Sequence, residues 1–249
     1  TADVVRRTLS QWQDTPGEGW PSWAFSNHDA PRAITRWSDG HDAEQIARLN
    51  MLLLCSLRGN PIIYQGEELG LPQGHVAFED LLDPEAITNW PHTLGRDGAR
   101  TPVPWTSGAP HAGFSDANAT WLKLDPAHED YAVNQQINDP ASMVTYTRRL
   151  LAQRSAHPAL VYGTSVMLRT PEGIVAFLRK HPAGDVLCAF NLSDEAVDWQ
   201  PPLDCARAPT IATEQSVETG GQLALTMPRR SGYWAACGGP CDPGDLKAS

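Results

Sequence analysis

The decapeptide WAFSNHDAPR, residues 23–32, begins with apolar and aromatic side chains and breaks off at Asn27, His28 and Asp29. An imidazole that titrates near neutrality stands there beside a carboxylate that is ordinarily ionised. Two readings compete. Either a strand ends in a polar turn, with His28 and Asp29 as surface or capping residues, or a barrel strand carries part of an active site at its carboxyl end, where chemistry collects in parallel sheets. A second such group lies in PIIYQGEELG, residues 61–70, where Glu67 and Glu68 form a tempting carboxylate pair. As neighbours on a strand they point to opposite faces and cannot act as one dyad, so structural roles are expected for both. Arginines complete the set: Arg32 and Arg36 in APRAITR, and Arg100 in DGARTP.

Periodicity gives the elements that must position these groups. ADVVRRTLSQW (2–12) reads as the tail of a helix, with Val4, Val5, Leu9 and Trp12 near one stripe and Arg6 and Arg7 outside it. TPGEGWP then leads into a strand at 23–27. Asp42 is expected to cap a helix running to Arg58, with Glu44 in its first turn and Ile46, Leu49, Leu53 and Leu57 at helical spacing; Gly59 and Pro61 stop it. A short apolar strand follows at 61–66. Strand, helix, strand, with polar residues at the same end of both strands, predicts a βαβ unit with parallel strands. Residues 71–139 are rich in Pro, Gly, Asp and Trp and lack sustained periodicity, as expected of a functional excursion over an active site. Asp139 is expected to cap the next helix, with Pro140 at its first position and Met143, Tyr146, Leu150 and Leu151 as its apolar stripe. From Leu160 the runs SVMLRT, GIVAFLRK, DVLCAFNLS, QLALTM and SGYWAA alternate between turns, which predicts a small antiparallel β domain; the end after Gly238 reads as a flexible tail.

Composition narrows the function classes. The 249 residues are 41% hydrophobic, and 29 acidic against 19 basic residues give a net charge of −10. That balance argues against a nucleic-acid surface, which needs clustered Lys and Arg, and against an anionic membrane surface. The longest apolar run, Met51–Cys55, is far too short to span a bilayer. Five scattered cysteines (Cys55, Cys188, Cys205, Cys237 and Cys241) match no zinc spacing and no disulfide scaffold. Cys237 and Cys241 frame CGGPC, where two thiols are expected rather than a bridge. A reduced, cytoplasmic location is favoured, with the periplasm as the alternative. No signal peptide opens the chain and no initiator Met precedes Thr1, so Thr1 is expected to lie inside a longer gene product.

With the elements in this order, the motifs become recognisable. FSNHD (25–29) resembles the fourth sequence region of the α-amylase family of glycoside hydrolases, and PIIYQGEELG is similar to that family's eighth barrel strand. GRDGARTPVPW (95–105) resembles the signature loop of α-glucosidases and oligo-1,6-glucosidases. FEDLLDPEAITNW (78–90) and NQQINDPASMVTYTRRLLAQRSAHPAL (134–160) fit the same subgroup. The resemblance implies an α/β fold, the carboxyl-terminal part of a TIM (β/α)8 barrel followed by a small antiparallel β-sandwich domain. Residues 1–159 would hold barrel strands 7 and 8, a long active-site loop and the last helix; 160–237 would form the sandwich, and 238–249 the tail.

The resemblance also implies roles. Retaining glycoside hydrolysis needs two carboxyls about 5–5.5 Å apart. In the family the nucleophile sits in a GFRxD-like segment and the acid on a later strand, both before the NHD region; no GFRxD occurs here. Asp29 resembles the family's third catalytic carboxylate, which holds the 2- and 3-hydroxyls of the terminal glucose, and His28 resembles the imidazole donor to the same hydroxyls. Arg100 resembles the arginine at the non-reducing end, paired in the family with an upstream Asp. Arg32, with Arg36, is expected to order the loop through ion pairs. Trp105, Phe78 and Trp90 are candidates for acceptor subsites or for core packing. The implied function is a retaining α-glucosidase acting on small α-glucosides or oligosaccharides, without metal or other cofactor. It would require the upstream barrel portion, covalent or as a separate chain, and this chain alone is expected to be inactive. Nucleic-acid and membrane partners are not expected. The alternatives are a non-catalytic carbohydrate-binding or transporter-associated homologue, a freestanding carbohydrate-binding module, and a sucrose- or maltose-acting glucosyltransferase or isomerase of the same family.

Overall fold

A computed structural model describes residues 2–13, 19–38, 42–93, 95–201, 210–213, 218–219 and 225–237. Helix α1 (Ala2–Gln13) is followed by strand β1 (Ser22–Ala24), helices α2 (Ala33–Ser38) and α3 (Ala43–Ser56), and strand β2 (Asn60–Ile62). Then come α4 (Pro84–Thr88), α5 (Val133–Gln136), α6 (Met143–Ala156) and α7 (Pro158–Tyr162). Eight further strands complete the order: β3 (Thr164–Met167), β4 (Ile174–Lys180), β5 (Val186–Asn191), β6 (Val197–Trp199), β7 (Thr210–Thr213), β8 (Glu218–Thr219), β9 (Leu225–Met227) and β10 (Ser231–Ala236). The chain divides into two compact units, one of Thr1–Trp23, Leu52–Pro61 and Leu150–Ser249, the other of Ala24–Met51 and Ile62–Arg149.

Strands β1 and β2 pair in a two-stranded sheet and are shorter than the segments 23–27 and 61–66 expected from the sequence. Past Ala24 and Ile62 the backbone turns to side chains and tight turns instead of a ladder. Asp29 N donates to Asn27 Oδ1, Tyr64 N to Glu67 Oε2, and Glu67 N to Tyr64 O. Glu67 and Glu68 therefore sit on a 3₁₀ turn, Glu67–Leu69, and not on a strand. Helix α3 has the expected start and stripe: Asp42 Oδ1 accepts from Glu44 N and Gln45 N, and Ile46, Leu49, Leu53 and Leu57 are buried. Beyond its end Gly59 stands at φ +120°, where a Cβ would lie 2.1 Å from Pro21 O, so the close turn requires glycine.

Two other helices depart from expectation for local reasons. Helix α6 begins at Met143, because Asp139 Oδ1 caps a preceding turn by accepting from Ala141 N while Ser142 Oγ accepts from Thr145 N. Its residues Met143, Tyr146 and Leu150 are buried, whereas Leu151 is exposed. On α1, Leu9 is buried, but Val4 and Trp12 are exposed. There Arg6 reaches inward and donates from Nη2 to Ile174 O at 2.9 Å, so a guanidinium, not an apolar stripe, fixes that helix face.

In the first unit the strands form a five-stranded sheet, β3-β4-β5-β10-β7, and a three-stranded one, β6-β9-β8. All their pairings are antiparallel, as with Phe177 opposite Cys188 and Leu178 opposite Leu187. Alternate residues Ile174, Ala176 and Leu178 share one apolar cluster with Trp199, Leu225 and Met227, which joins the two sheets in a common core. The intervening Val175 and Phe177 are buried too, with the Phe177 and Phe190 rings stacked at 6.1 Å and α1 and α7 against β4. Strands covered on both faces lose the polar half of the alternation. Strands β6, β7 and β8 were not foreseen, since two to four residues carry no readable period.

Two buried cations close this unit. Arg154 donates to Cys55 O at 2.6 Å and Gly59 O at 3.0 Å; Arg179 donates to Ser56 O at 2.7 Å and Gly163 O at 2.9 Å. They satisfy carbonyls at the carboxyl end of α3, where the helix dipole favours positive charge. Burial pulls both guanidiniums below the usual arginine range, and it pushes the neighbouring Cys188 thiol far up, which leaves an unreactive thiol. Cys205, Cys241 and the tail expected at 238–249 lie outside the described residues. No helix among the described residues is long and apolar enough to cross a membrane.

Replacing Arg179 by Met leaves two buried carbonyls without these donors, at about 1–3 kcal/mol each, offset in part by sparing the desolvation of a cation. The expected net loss is about 2–4 kcal/mol, read as a lowered denaturation midpoint of the complete polypeptide. An unchanged midpoint would mean that other donors replace the guanidinium.

Candidate active site

The second unit holds every site residue named from the sequence. Ser26 is buried, and its hydroxyl donates to Glu67 Oε1 at 2.7 Å while accepting from Ala33 N at 2.9 Å. One side chain thus anchors the end of the apolar run, starts α2 and reaches the QGEELG turn. Helix α2 was missed because six residues show no period. Directly after Ser26 the chain surfaces: Asn27, His28 and Asp29 are exposed, and an Asx turn closed by Asn27 presents both later side chains.

Asp29 is the focus of positive charge. Arg100 Nη2 donates to its Oδ1 at 2.8 Å, Arg100 Nε donates to His28 O at 2.7 Å, and His28 Nε2 stands 3.3 Å from Asp29 Oδ2. Arg96 Nη1 lies 3.8 Å from Asp29 Oδ1. FSNHD and GRDGARTP, more than sixty residues apart in the chain, therefore meet at one carboxylate. Arg96 was missed by the sequence reading, although it lies in the same motif as Arg100 and beside the acidic Asp97.

Arg32 supports this meeting from below. It is fully buried and donates from Nη1 to Gln65 O at 2.7 Å and from Nη2 to Ala99 O at 3.3 Å, with the guanidinium over the Tyr64 ring at 5.2 Å. Arg36 donates to Phe25 O and Pro31 O. Ion pairs were expected of both arginines; among the described residues the bracing runs instead through backbone carbonyls and a ring face, the acceptors that the turns leave open. Burial holds Arg32 below the usual arginine range and raises Glu67 above the usual carboxylate range. Glu67 serves the scaffold through Ser26 and Tyr64 N, and Glu68 Oε2 accepts from Gly66 N. Trp105, Phe78 and Trp90 are exposed, the last two as a tilted pair at 5.5 Å. Among the described residues no group of three His, Cys, Asp or Glu side chains is arranged to hold a metal ion.

The chemistry open to this arrangement is recognition of a polyhydroxylated ligand. It offers one fixed carboxylate acceptor, an imidazole beside it and guanidinium donors on a solvent-facing surface. Residues 1–163 match the family model described as the alpha-amylase catalytic domain. The chain belongs to the alpha-amylase family.

Similarities within that family are specific. A protein named probable alpha-glucosidase from Rhizobium meliloti (strain 1021) is 45% identical over 206 residues, 82% of this chain and 37% of that protein. An oligo-1,6-glucosidase of Halalkalibacterium halodurans is 30% identical over 221 residues, 80% of this chain and 39% of its own length. The crystal structure of an alpha-glucosyl transfer enzyme, XgtA, matches with a TM-score of 0.84 at 40% identity, over 95% of this chain and 44% of that one. The chain thus spans less than half the length of each of these proteins.

Beneath the GARTP loop, His128 is buried with Nδ1 3.5 Å from Thr101 Oγ1, and burial lowers its pKa from the ordinary 6.5. The unfolded state therefore binds a proton more readily than the folded one. The contribution is fully present above pH 6.5 and is lost as pH falls below it toward the folded value. In denaturant titrations across this window, His128→Gln is expected to flatten the fall in midpoint on acidification. An identical pH slope in mutant and wild type would remove His128 as its source.

Proposed function

We propose that the complete protein is a retaining α-glucosidase of the alpha-amylase family that releases terminal glucose from small α-glucosides. In this reading residues 1–159 are the carboxyl-terminal part of the (β/α)8 barrel, with β1 and β2 as its seventh and eighth strands. Residues 160–237 form the β-sandwich domain. The observation that carries the reading is the junction of Arg100 with Asp29, which unites the two motifs that resemble the α-glucosidase site.

In the proposed mechanism Asp29 accepts from the 2- and 3-hydroxyls of the glucose to be released, and His28 donates to the same pair. As the bond to the leaving group breaks, positive charge spreads over the ring oxygen and anomeric carbon. A fixed carboxylate nearby then stabilises the transition state more than the bound sugar. In this reading Arg100 holds Asp29 and meets the non-reducing end of the sugar, which favours a chain-terminal glucose over an internal one. The nucleophile and the acid/base, separated by the short distance of a retaining pair, come from an upstream barrel segment, as a covalent part or a separate chain. Transfer of the glucosyl group to a second sugar is the alternative outcome, supported by the similarity to a glucosyl transfer enzyme.

Two measurements test the proposal. In the complete protein Asp29→Asn keeps the side-chain shape and removes the charge, so kcat/KM on an aryl α-glucoside is expected to fall by at least about 10²–10³-fold, some 3–4 kcal/mol, with the fold retained. Near-normal turnover in the folded mutant would reduce Asp29 to a structural role. The 249-residue chain by itself is expected to show no turnover. Hydrolysis that survives removal of every copurifying polypeptide would overturn the need for an upstream segment.

A further inference from the structure

A second guanidinium stands by Asp29, and it is already engaged on its far side. Arg96 Nη2 donates to Asp83 Oδ1 at 2.6 Å, and Arg96 N donates to Asp83 Oδ2 at 2.8 Å. The Asp83 side chain is fully buried and also accepts from Glu85 N at the start of α4. Its own backbone is pinned in turn: Asp97 Oδ2 accepts from Leu82 N at 2.7 Å and from Asp83 N at 2.8 Å. Gly95, at φ +58°, has no room for a Cβ against Ala86. Arg96 is thus held at its backbone and at one end of its fork, while Nη1 remains 3.8 Å from Asp29 Oδ1, just beyond a hydrogen bond.

That distance matters because Arg100 already donates to the same Oδ1. A carboxylate has about four lone-pair sites; with Arg100 on Oδ1 and His28 Nε2 3.3 Å from Oδ2, two sugar hydroxyls need the two that remain. A second guanidinium closing fully on Asp29 would compete with those hydroxyls. We propose that Asp83 is a positioning residue: by clamping Arg96 it withholds that guanidinium from Asp29 and keeps the carboxylate available to the sugar. The proposal rests on the reading of Asp29 as a hydroxyl acceptor. Asp83 is suited to the task because the Arg96 hydrogen bond, with further backbone donors, holds its pKa down at about 2, so the clamp stays charged across the working range.

The test is a double-mutant cycle in the complete polypeptide with Asp83→Asn, Arg96→Gln and the double variant. Freed by Asp83→Asn, Arg96 swings onto Asp29; KM for an aryl α-glucoside rises and kcat/KM falls on the order of ten- to a hundredfold. Once Arg96 is Gln, adding Asp83→Asn is expected to change kcat/KM no further. An equal loss in both backgrounds would mean that Asp83 supports only its loop, and it would overturn the proposal.

A second readout does not depend on turnover. The Asp29 carboxyl, assigned by difference from Asp29→Asn, is followed by ¹³C NMR at constant pH; among the described residues it faces His28, Arg96 and Arg100. Its ¹³C resonance is expected to shift on Asp83→Asn and to shift in the opposite sense on Arg96→Gln. An unmoved Asp29 in a folded Arg96→Gln variant overturns the proposal even if Asp83→Asn does not fold. Wild-type protein without α-glucosidase turnover would defeat the functional reading alone, because the Asp29 resonance still decides the coupling of Asp83 to Asp29. An active wild type with no coupling would defeat this inference alone.

Discussion

A guanidinium cut off from water must find its acceptors inside the protein, and in the second unit that requirement falls on Arg32. Its two terminal nitrogens take the carbonyls of Gln65 and Ala99, its face lies on the Tyr64 ring, and its backbone N–H goes to Gln73. None of these partners lies in an α-helix or a strand, so the hydrogen bonds of one buried cation replace the ladder that such elements would supply. Arg32 Nε has no partner among the described residues, and leaving Nη1 or Nη2 unmet as well would cost about 1–3 kcal/mol for each buried donor. Ala99 also accepts from Tyr64 Oη, which ties the QGEELG turn to the GARTP loop a second time.

From that constraint the site follows. With the loop fixed at Ala99, the next residue, Arg100, stands where it spans the His28 carbonyl and the Asp29 carboxylate. The exposed Asp29 is thereby held by neighbours that are themselves held by buried groups, the general condition for a preorganised polar site. The alternation of anion and cation, Asp83 to Arg96 to Asp29 to Arg100, keeps two guanidiniums close together without an uncompensated positive charge. The first unit uses buried arginines in another way. Arg154 and Arg179 spend their donors on the end of α3, and the cation stabilises a helix terminus instead of a loop crossing.

Much of this was legible in the residues. The spacing of Ile46, Leu49, Leu53 and Leu57 with Asp42 before and Gly59 after defined α3, because a capped amphipathic helix is specified locally. The runs at 174–180 and 186–191 were readable as strands from their short alternating pattern between turns, although both faces proved to be covered. Strands β1 and β2 were over-extended, since the apolar character of Phe25 and of Ile63 continues after the ladder has ended. The Val4–Trp12 stripe misled for a related reason: Arg6 found backbone acceptors 165 residues or more away, and periodicity has no knowledge of them.

The sequence by itself determined the family, through motifs whose residue types and order are distinctive, and it singled out His28, Asp29, Arg32 and Arg100. These are local facts, each written within one short motif. It did not determine that Arg100 would meet Asp29, that Arg32 would be braced by carbonyls and not by carboxylates, or that Asp83 and Arg96 belong to the same charge chain. Those pairings depend on which distant segments are brought within hydrogen-bond range and which charges are removed from water. Only the tertiary structure decides that, because burial and distance are properties of the packed chain and have no counterpart in the order of its residues.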